Sequence, residues 1–333
     1  MKNVGIIGCG AIMSRHANAV IECDGYKLMA LCDVQEYILK NSCKRYDTIG
    51  YINYKKMIQN KKINFISIAT PNSQHTEQAI YALENGCDVL IEKPVSLNPK
   101  DIETIKKIAN KNGQYAYCVL QVRENPSVKL VKEVLERGLL GTIRGVNLIQ
   151  RWQRPVDYFT GWRGIPEIGG GTLYECGIHY LDIMGYLFGY PSVLSSSAYK
   201  IKHQYCDIED TIYCLFDFGN YGGTMEITIA AEPHNLECSL SILGSNGYLK
   251  IGGKAMNIVE SANFLSNGCK LEYESLLKTK IIPNTPNSYG SYAGSCPNHP
   301  DLYKNIKNFN ISEAKGSLML IDEIYKKSSI KYY

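Results

Sequence analysis

The first 122 residues alternate short apolar runs with longer segments of helical periodicity, and this alternation limits the possible folds. The runs are mostly apolar and too short for independent helices, which is typical of strands buried on both faces. Strands that alternate with helices predict a doubly wound parallel sheet. The predicted strands are Val4–Ile7, Tyr26–Cys32, Asn64–Ala69, Cys87–Ile91 and Tyr115–Val122.

The pattern changes after residue 122, so we predict domains at 1–122 and 123–333. A helix over Ser127–Arg137 and a strand over Gly145–Arg154 precede a single helix over Leu173–Phe188. Successive strands then predict an α+β domain with a large, mostly antiparallel open sheet, whose outer face commonly serves oligomerisation. The strands are Val193–Lys200, Asp210–Phe218, Thr224–Ala231, Glu237–Leu243 and Tyr248–Ile251. Residues 274–297 are expected to be irregular, with two helices closing the chain.

Composition narrows the class of protein. The chain has 333 residues, is 45% hydrophobic and 20% charged, and contains no apolar run long enough to span a bilayer. A net charge of +4 with scattered lysines argues against nucleic acid or a membrane as partner and suits an anionic small molecule. The N-terminus lacks the pattern of a signal peptide, and no CxxC pair occurs, so we expect buried free thiols in the cytoplasm.

The first predicted strand leads into a glycine turn, Gly8-Cys9-Gly10, that opens a helix. Gly8 allows a tight turn, and Gly10 lets the backbone approach a pyrophosphate at the helix N-terminus. Met13 replaces the third glycine of the usual pattern. Asp33 ends the second strand, where a carboxylate accepts hydrogen bonds from ribose hydroxyls and repels a 2′-phosphate. No basic residue follows directly, so we predict NAD as cofactor; the alternative for Asp33 is a helix N-cap.

Glu92-Lys93-Pro94 follows the fourth strand directly. Ligands of open α/β sheets bind beyond the carboxyl ends of the strands, so a lysine at this position points into the site. Pro94 restricts the backbone of Lys93, and Glu92 can pair with the ammonium or hold it in place. The alternative is a salt-bridging surface lysine.

The C-terminal half contains the segment from Gly169 to Asp182, with three glycines at a helix entrance. Glu175 and His179 are four residues apart, so an α-helix would place them on one face. A carboxylate beside a histidine can orient the ring for proton transfer near neutral pH. The alternative is a partly buried histidine satisfied by its neighbour.

Together these motifs resemble the Gfo/Idh/MocA oxidoreductase family. The resemblance rests on Gly8-Cys9-Gly10, Ala69-Thr70-Pro71-Asn72 with His75, Glu92-Lys93-Pro94, and Trp162-Arg163-Gly164 before Gly169 to Asp182. The resemblance covers nearly the whole chain. Within the family, the chain is most similar to the sugar-nucleotide 3-dehydrogenases. The resemblance implies a Rossmann domain, a homodimer or homotetramer, and NAD(P)-dependent chemistry at a sugar or polyol carbon.

The resemblance also implies roles for individual residues. Lys93 matches the lysine of the family's EKP motif, His179 matches the histidine of its DxGxH motif, and Glu175 stands at the aspartate position; these three are the expected catalytic residues. Expected at the cofactor are Gly8, Gly10, Ala11, Ile12, Asp33, Thr70, Pro71, Asn72, His75, Glu92, Lys93 and Gln121. Expected at the substrate are Lys93, Arg123, Tyr158, Trp162, Arg163, Glu175 and His179.

The substrate prediction depends on a cationic and aromatic segment from Arg151 to Tyr158, followed by Trp162-Arg163. Arginine forks suit diphosphate or carboxylate, and flat rings suit sugar and uracil faces. We expect hydride transfer at C3 of a UDP-N-acetylamino sugar or its uronic acid, for surface-polysaccharide synthesis. Alternatives are a subunit interface for this segment, an inositol or free-sugar dehydrogenase, and a non-catalytic NAD-binding regulator. Cys296 and His299 lack a second ligand pair, so no metal is predicted; a loop there that reaches substrate is the preferred interpretation.

Overall fold

The computed structural model describes residues 1–253, 255–280 and 299–332. The chain forms two compact units. The first comprises Met1–Leu120, Glu167–Gly169 and His299–Leu318, and the second Gln121–Pro166, Gly170–Asn298 and Met319–Tyr333. The return of His299–Leu318 to the first unit differs from the predicted domain boundary at residue 122.

A six-stranded sheet organises the first unit. Its order is β3-β2-β1-β4-β5-β6, with every neighbouring pair parallel. This order confirms the predicted doubly wound Rossmann sheet. The strands are β1 (Lys2–Ile7), β2 (Tyr26–Cys32), β3 (Ile49–Tyr51), β4 (Phe65–Ile68), β5 (Asp88–Ile91) and β6 (Ala116–Cys118). Strand β3 was not predicted, because its three residues, two of them exposed, contain no continuous apolar run.

Five helices connect these strands. The central strands lie in the core, since Ile6, Ile66 and Leu90 are fully buried. The last of the five helices stops where Gly113 adopts a left-handed conformation at φ 66°, as a C-terminal glycine allows. The helices are α1 (Met13–Glu22), α2 (Glu36–Tyr46), α3 (Tyr54–Ile58), α4 (His75–Glu84) and α5 (Asp101–Asn112).

An eight-stranded sheet organises the second unit. Its order is β13-β12-β11-β7-β10-β9-β8-β14; the β7–β10 and β8–β14 pairs are parallel and the remaining pairs antiparallel, which confirms the predicted mostly antiparallel sheet. The strands are β7 (Ile143–Arg151), β8 (Ser192–Lys200), β9 (Thr211–Asp217), β10 (Gly222–Thr228), β11 (Glu237–Gly244), β12 (Gly247–Gly252), β13 (Ile258–Phe264) and β14 (Ile330–Tyr332).

The remaining helices include one correction. The expectation that residues 274–297 are irregular is wrong for 274–280, which continue a helix that buries Tyr273 and Leu276. Their spacing of three residues is helical. Residues 281–298 lie outside the described part of the chain, and with them the predicted substrate-reaching loop and Cys296. The helices are α6 (Pro126–Glu136), α7 (Pro166–Gly169), α8 (Ile178–Phe188), α9 (Asn267–Lys280), α10 (His299–Lys304) and α11 (Lys315–Lys327).

Every described cysteine is a free thiol, and most are buried, as expected from their positions in apolar runs. Burial raises the pKa of the Cys9 and Cys32 thiols to about 12, with the Asp33 carboxylate adding to the effect. These thiols therefore stay protonated near neutral pH. Over the same described residues, none of the helices has the length and apolar character needed to cross a bilayer.

Candidate active site

The two glycines of the turn after β1 have different surroundings: one is packed against backbone and the other faces open space. Gly8 has φ +95°, and a Cβ there would lie 2.4 Å from the Ala69 carbonyl oxygen, so a side chain is excluded. A Cβ on Gly10 would meet no protein atom within 4 Å. Ala11 is exposed and Ile12 half-buried, whereas Met13 begins α1 in the core. The open side of the turn fits a bound pyrophosphate.

Asp33 lies at the end of β2 and fastens this turn. Its Oδ2 accepts a hydrogen bond from the Cys9 amide at 2.7 Å, and its Oδ1 accepts one from the Gln35 amide at 2.8 Å. The second bond realises part of the helix-capping alternative, although the cap position of α2 itself is Gln35. Val34 and Gln35, which follow Asp33, are exposed and uncharged. This segment therefore offers no cationic side chain that could bind a 2′-phosphate.

The Glu92-Lys93-Pro94 stretch leaves the end of β5 as predicted. Glu92 is 5% exposed and Lys93 half-buried. The Glu92 Oε2 accepts a hydrogen bond from the Lys93 backbone amide at 3.0 Å, and its Oε1 contacts His16 Nε2 at 2.9 Å. Glu92 therefore holds the backbone of Lys93. A cofactor contact by Glu92, expected from the resemblance, remains a prediction.

His75 joins the loops that follow β4 and β5. Its Nδ1 lies 2.7 Å from the Pro94 carbonyl oxygen and its Nε2 lies 2.9 Å from the Thr70 carbonyl oxygen. Carbonyls only accept, so each contact is a hydrogen bond when the ring nitrogen concerned carries a proton. The ring is 1% exposed. Asn72 is buried as well, and its amide donates to the Gly169 carbonyl at 2.9 Å. Both residues hold backbone in the first unit, and their direct contact with cofactor remains a prediction.

In the second unit, Arg123 forms a buried ion pair with Asp182. Its Nε and Nη2 donate to the two carboxylate oxygens at 2.8 and 2.7 Å, a bidentate arrangement. The pair joins the turn Gln121–Glu124 to α8 and leaves Arg123 only 7% exposed. This observation gives Arg123 a structural function, and its expected role at the substrate remains a prediction, as does that of Gln121 at the cofactor.

The predicted single helix over Leu173–Phe188 is wrong at its start. Leu173–Gly177 form a π-helical turn, and the regular helix α8 begins at Ile178. Glu175 therefore lies in the wide turn and His179 in the first turn of α8, so the α-helical spacing of four residues does not describe this pair. Gly177 packs against β10, where a Cβ would lie 2.8 Å from Ile227 Cδ1. Single π turns occur often at functional sites.

A buried clamp that sequence reasoning missed holds the entrance of the π turn. The Glu209 Oε1 accepts hydrogen bonds from the Thr172 amide at 2.8 Å and from the Tyr325 hydroxyl at 2.7 Å. A Cβ on Gly171 would lie 2.6 Å from the Tyr325 hydroxyl. Burial raises the pKa of Glu209 to about 7, against the opposing effect of these hydrogen bonds. The three clamp residues are far apart in the chain, so no local pattern reveals them.

Five side chains form what we call the aromatic–arginine cluster, and one of them, Arg163, lies beside Glu175: Trp152, Arg154, Tyr158, Trp162 and Arg163. The Arg154 and Arg163 guanidinium groups lie 5.4 and 5.5 Å from the Tyr158 ring centroid. Each also lies 4.6 Å from a tryptophan ring, Trp152 and Trp162 respectively. Burial raises the pKa of Tyr158 far above its ordinary value, so its hydroxyl remains a donor near neutral pH.

Two donors of this cluster have no hydrogen-bond acceptor within the described part of the chain. These are the buried Trp152 Nε1 and Arg163 Nε, the latter lying 3.4 Å from Glu175 Oε2 without hydrogen-bond geometry. Buried polar atoms rarely lack a partner, so these donors indicate a place for ligand oxygens. Trp152 is the residue that the substrate prediction passed over, although it lies inside the predicted segment.

Arg151 does not belong to the cluster. Its side chain makes two hydrogen bonds of 2.6 Å to Glu226 and lies 3.3 Å from Glu237 Oε2. Arg151 is the last residue of β7 and Trp152 follows the strand, and their side chains have different partners. The predicted cationic segment is therefore split by the strand into an ion-paired residue and the cluster.

Comparisons with known proteins agree with this architecture. Residues 2–120 match the model of an oxidoreductase family with an NAD-binding Rossmann fold, and residues 128–250 match a GFO/IDH/MocA C-terminal domain. The oxidoreductase P35 of Formosa agariphila is 26% identical, over 85% of this chain and 89% of its own. The D-glucoside 3-dehydrogenase of Escherichia coli is 27% identical, over 66% and 67%. The WlbA dehydrogenase of Bordetella pertussis, solved with NADH and UDP-GlcNAcA, superposes with a TM-score of 0.85 at 26% identity, covering 98% of this chain and 95% of that one. The chain belongs to the Gfo/Idh/MocA family of oxidoreductases, and its first unit is an NAD-binding Rossmann domain.

Proposed function

We propose that this enzyme transfers hydride between nicotinamide and a sugar carbinol, C3 of a UDP-N-acetylamino sugar or its uronic acid. One observation carries the substrate class: two buried donors, Trp152 Nε1 and Arg163 Nε, make no hydrogen bond within the described part of the chain, and both belong to a cluster of arginines and flat rings. Guanidinium groups bind carboxylate and phosphate, and ring faces pack on sugars and bases.

The residues of the first unit fit the cofactor. Gly8 packs against the backbone and Gly10 faces open space, so the backbone of the turn is accessible to a pyrophosphate. Asp33 supplies a carboxylate that can accept hydrogen bonds from ribose hydroxyls. When bound, the nicotinamide supplies the hydride acceptor or donor. An uncharged stretch after Asp33 supports NAD over NADP, because a 2′-phosphate would meet a carboxylate there without a compensating cation.

Lys93 and His179 are the proposed proton-transfer and oxygen-stabilising groups for the carbinol. Oxidation moves a hydride from carbon and a proton from oxygen, so one group accepts the proton while the other stabilises the negative charge that develops on the oxygen. Both side chains are half-buried. The Glu92 carboxylate accepts a hydrogen bond from the Lys93 amide, and the π turn precedes His179. Glu175 Oε2 lies 3.4 Å from Arg163 Nε, and we assign Glu175 to the substrate-binding residues.

Two relatives support different sugars. The structure at TM-score 0.85 contains UDP-GlcNAcA, which agrees with the arginines of the cluster. The Escherichia coli relative is a D-glucoside 3-dehydrogenase, which has no diphosphate to bind. Both relatives are named dehydrogenases, one solved with a nucleotide sugar and one named for a glucoside, so the anionic group of the sugar is the chemistry that distinguishes them.

The deciding experiment is a panel of thermal-shift and turnover measurements with NAD. It contains UDP-GlcNAc, its uronic acid, glucose, methyl glucoside and myo-inositol, with reduction followed near ~340 nm, where the reduced nicotinamide absorbs. Arg163→Met is measured beside Arg144→Met, a control at an exposed position outside the cluster. We expect only the UDP sugars to stabilise the protein and reduce NAD, and only Arg163→Met to raise their KM.

Other outcomes assign the enzyme differently. Turnover of neutral sugars alone would reject the nucleotide sugar and keep the dehydrogenase. Binding of NAD and a sugar with no turnover of any compound would favour the non-catalytic regulator.

A further inference from the structure

Three segments of the first unit converge on the buried carboxylate of Glu92. His16 lies on α1, just after the glycine turn, and His299 is the first residue of α10. Their Nε2 atoms lie 2.9 and 3.2 Å from the same oxygen, Glu92 Oε1. The two imidazole rings meet edge to face with centroids 4.7 Å apart, and both are at most 1% exposed.

The other polar atoms of the group are also placed. Glu92 Oε2 accepts from the Lys93 backbone amide at 3.0 Å. The Nδ1 of His16 lies 3.0 Å from both the Ser67 and the Tyr303 hydroxyls. The carboxylate thus stands between two histidines on one side and the peptide of Lys93 on the other.

Two nitrogens and one carboxylate oxygen could also bind a divalent cation, since these three atoms lie within 4.8 Å of one another. The position of the histidine protons decides between the two arrangements. A metal at Nε2 would leave the proton of His299 on Nδ1, which is buried and has no acceptor among the described residues. A hydrogen bond places that proton on Nε2, facing Glu92, and leaves Nδ1 as an unprotonated acceptor. The unmet donor is the less favourable case, so the geometry points to hydrogen bonds.

We propose that His16 and His299 are positioning residues for Lys93, acting through Glu92. Each donates to Oε1, which orients the carboxylate so that Oε2 holds the Lys93 amide, and the lysine side chain therefore leaves the strand end in one direction. The inference rests on the proposed function of Lys93. It adds that α1 of the cofactor turn and α10 at the return of the chain both set the position of the lysine.

The charges in the group agree with this arrangement. Burial by itself would raise the pKa of Glu92, but the hydrogen bonds from His16 and His299 outweigh it and hold the pKa well below its usual range. Burial lowers the pKa of His299, against the smaller opposing effect of Glu92. An ionised carboxylate that accepts from a neutral His299 is the resulting state near neutral pH.

The test separates the donor from the bulk of the ring. His299→Leu removes the donor, whereas His299→Gln places an amide N–H near the position of Nε2 and should preserve the bond. His234→Asn, at an exposed histidine outside the group, is the matched control. Each full-length variant is measured for kcat and KM, for NAD affinity, for thermal unfolding, and for the rate at which an amine-reactive reagent labels Lys93, with the exposed Lys111 as internal standard.

We expect His299→Leu to lower kcat by on the order of tenfold with little change in NAD affinity, because displacement of a reacting group by an ångström is enough for such a loss. His299→Gln should recover most of the rate. The labelling rate of Lys93, but not of Lys111, should change in the Leu variant alone. His16→Gln should behave like His299→Gln.

Labelling needs no substrate, so the positioning inference is tested even when the proposed substrates fail. Unchanged labelling and kcat in a folded His299→Leu protein would reject the inference. Equal losses in the Leu and Gln variants would indicate packing instead of a hydrogen bond and would also reject it. Retention of stoichiometric zinc or cobalt after dialysis, lost in His299→Gln, would overturn it in favour of a metal site.

Discussion

Lys93 is the residue on which the proposed chemistry depends most, and its surroundings are unusual for a lysine. It is half-buried, it follows a strand whose last three residues are fully buried, and its amide donates to the side chain of the residue before it. A lysine that merely bridges surface charges needs no such support, because long side chains at surfaces adapt freely. The local geometry therefore favours a directed role.

Replacing Lys93 with Met should lower kcat by on the order of a hundredfold, the usual contribution of a general acid or base, with NAD affinity retained. The side chain keeps its length and loses only its charge and its proton. Steady-state turnover and NAD titration measure the two effects, with Lys111→Met as the control at an exposed lysine. Near-normal turnover of a folded, NAD-binding Lys93→Met enzyme would remove Lys93 from the mechanism.

Asp33 should decide the preference between the two dinucleotides. The wild-type protein should bind NAD more tightly than NADP. Asp33→Ala should reduce the difference between the two affinities, because it lowers the affinity for NAD by about tenfold, the scale of one hydrogen bond to a charged group. The loss of NAD affinity has two causes. The ribose would lose its carboxylate acceptor, and the turn would lose the hydrogen bonds that Asp33 accepts from the Cys9 and Gln35 amides. Titration of both dinucleotides measures it, beside Asp24→Ala at an exposed aspartate. Equal or tighter binding of NADP by wild type would contradict the prediction.

At the scale of elements, the π turn of Leu173–Gly177 depends on groups outside itself. Its entrance is held by the Glu209 carboxylate, which bonds the Thr172 amide and the Tyr325 hydroxyl. The loop before β9, which carries Glu209, and the helix α11 therefore fix the start of the segment that presents Glu175. A wide turn has poorer internal hydrogen bonding than an α-helix, so external supports of this kind are needed to keep it.

Glu209 should also make stability depend on pH. Its pKa is about 7 in the folded protein and near 4.5 when exposed, so the folded state holds the proton more tightly. The stabilisation is complete below the unfolded pKa and is lost as pH rises through the folded pKa. Between these values the free energy of unfolding should fall with pH, by on the order of 3 kcal/mol in total.

The variant Glu209→Gln cannot titrate and keeps an acceptor for the Thr172 amide. We expect it to flatten the dependence of the free energy of unfolding on pH between about 4.5 and 7. Denaturant unfolding at several pH values measures the slope, and Glu260→Gln at a half-exposed glutamate of β13 is the control. A slope unchanged from wild type would show that Glu209 titrates normally.

At the scale of the whole molecule, one face of the sheet of the second unit carries exposed apolar side chains among the residues that the structure describes. On β9, Ile212, Cys214 and Phe216 are buried, whereas Tyr213 and Leu215 between them are 45% and 43% exposed. Leu194 on β8 and Leu243 on β11 are also exposed. Apolar side chains in this number on a sheet face are typical of a surface that binds another protein chain.

We expect this face to join copies of the chain into a homodimer or homotetramer. Leu215→Lys should shift the molecular mass towards that of a monomer, since a charge directly in an apolar interface is costly to bury. Analytical ultracentrifugation measures the mass, and Leu271→Lys, at an exposed leucine of α9, is the control. A wild-type protein that sediments as a monomer would contradict the expectation.

The sequence by itself determined most strands and helices of the first unit and the places of its candidate site residues along them. Burial on both faces produces continuous apolar runs, and these runs placed five of the six parallel strands, with small errors at their ends except for β6, which is shorter than predicted. Glycine and carboxylate positions that depend on neighbouring backbone, such as Gly8 and Asp33, were also readable, because turn geometry is local. The same holds for Lys93 at a strand end.

Tertiary structure decided what depends on residues far apart in the chain. Glu209 and Tyr325 meet at the π turn, and His16 and His299 meet at Glu92, although no local period connects them. Arg151 was assigned to the substrate segment from its neighbours in sequence, yet its partner Glu226 lies on the adjacent strand. Local patterns report whether a residue is buried; which distant group satisfies its charge or hydrogen bond is set only when the strands and helices pack.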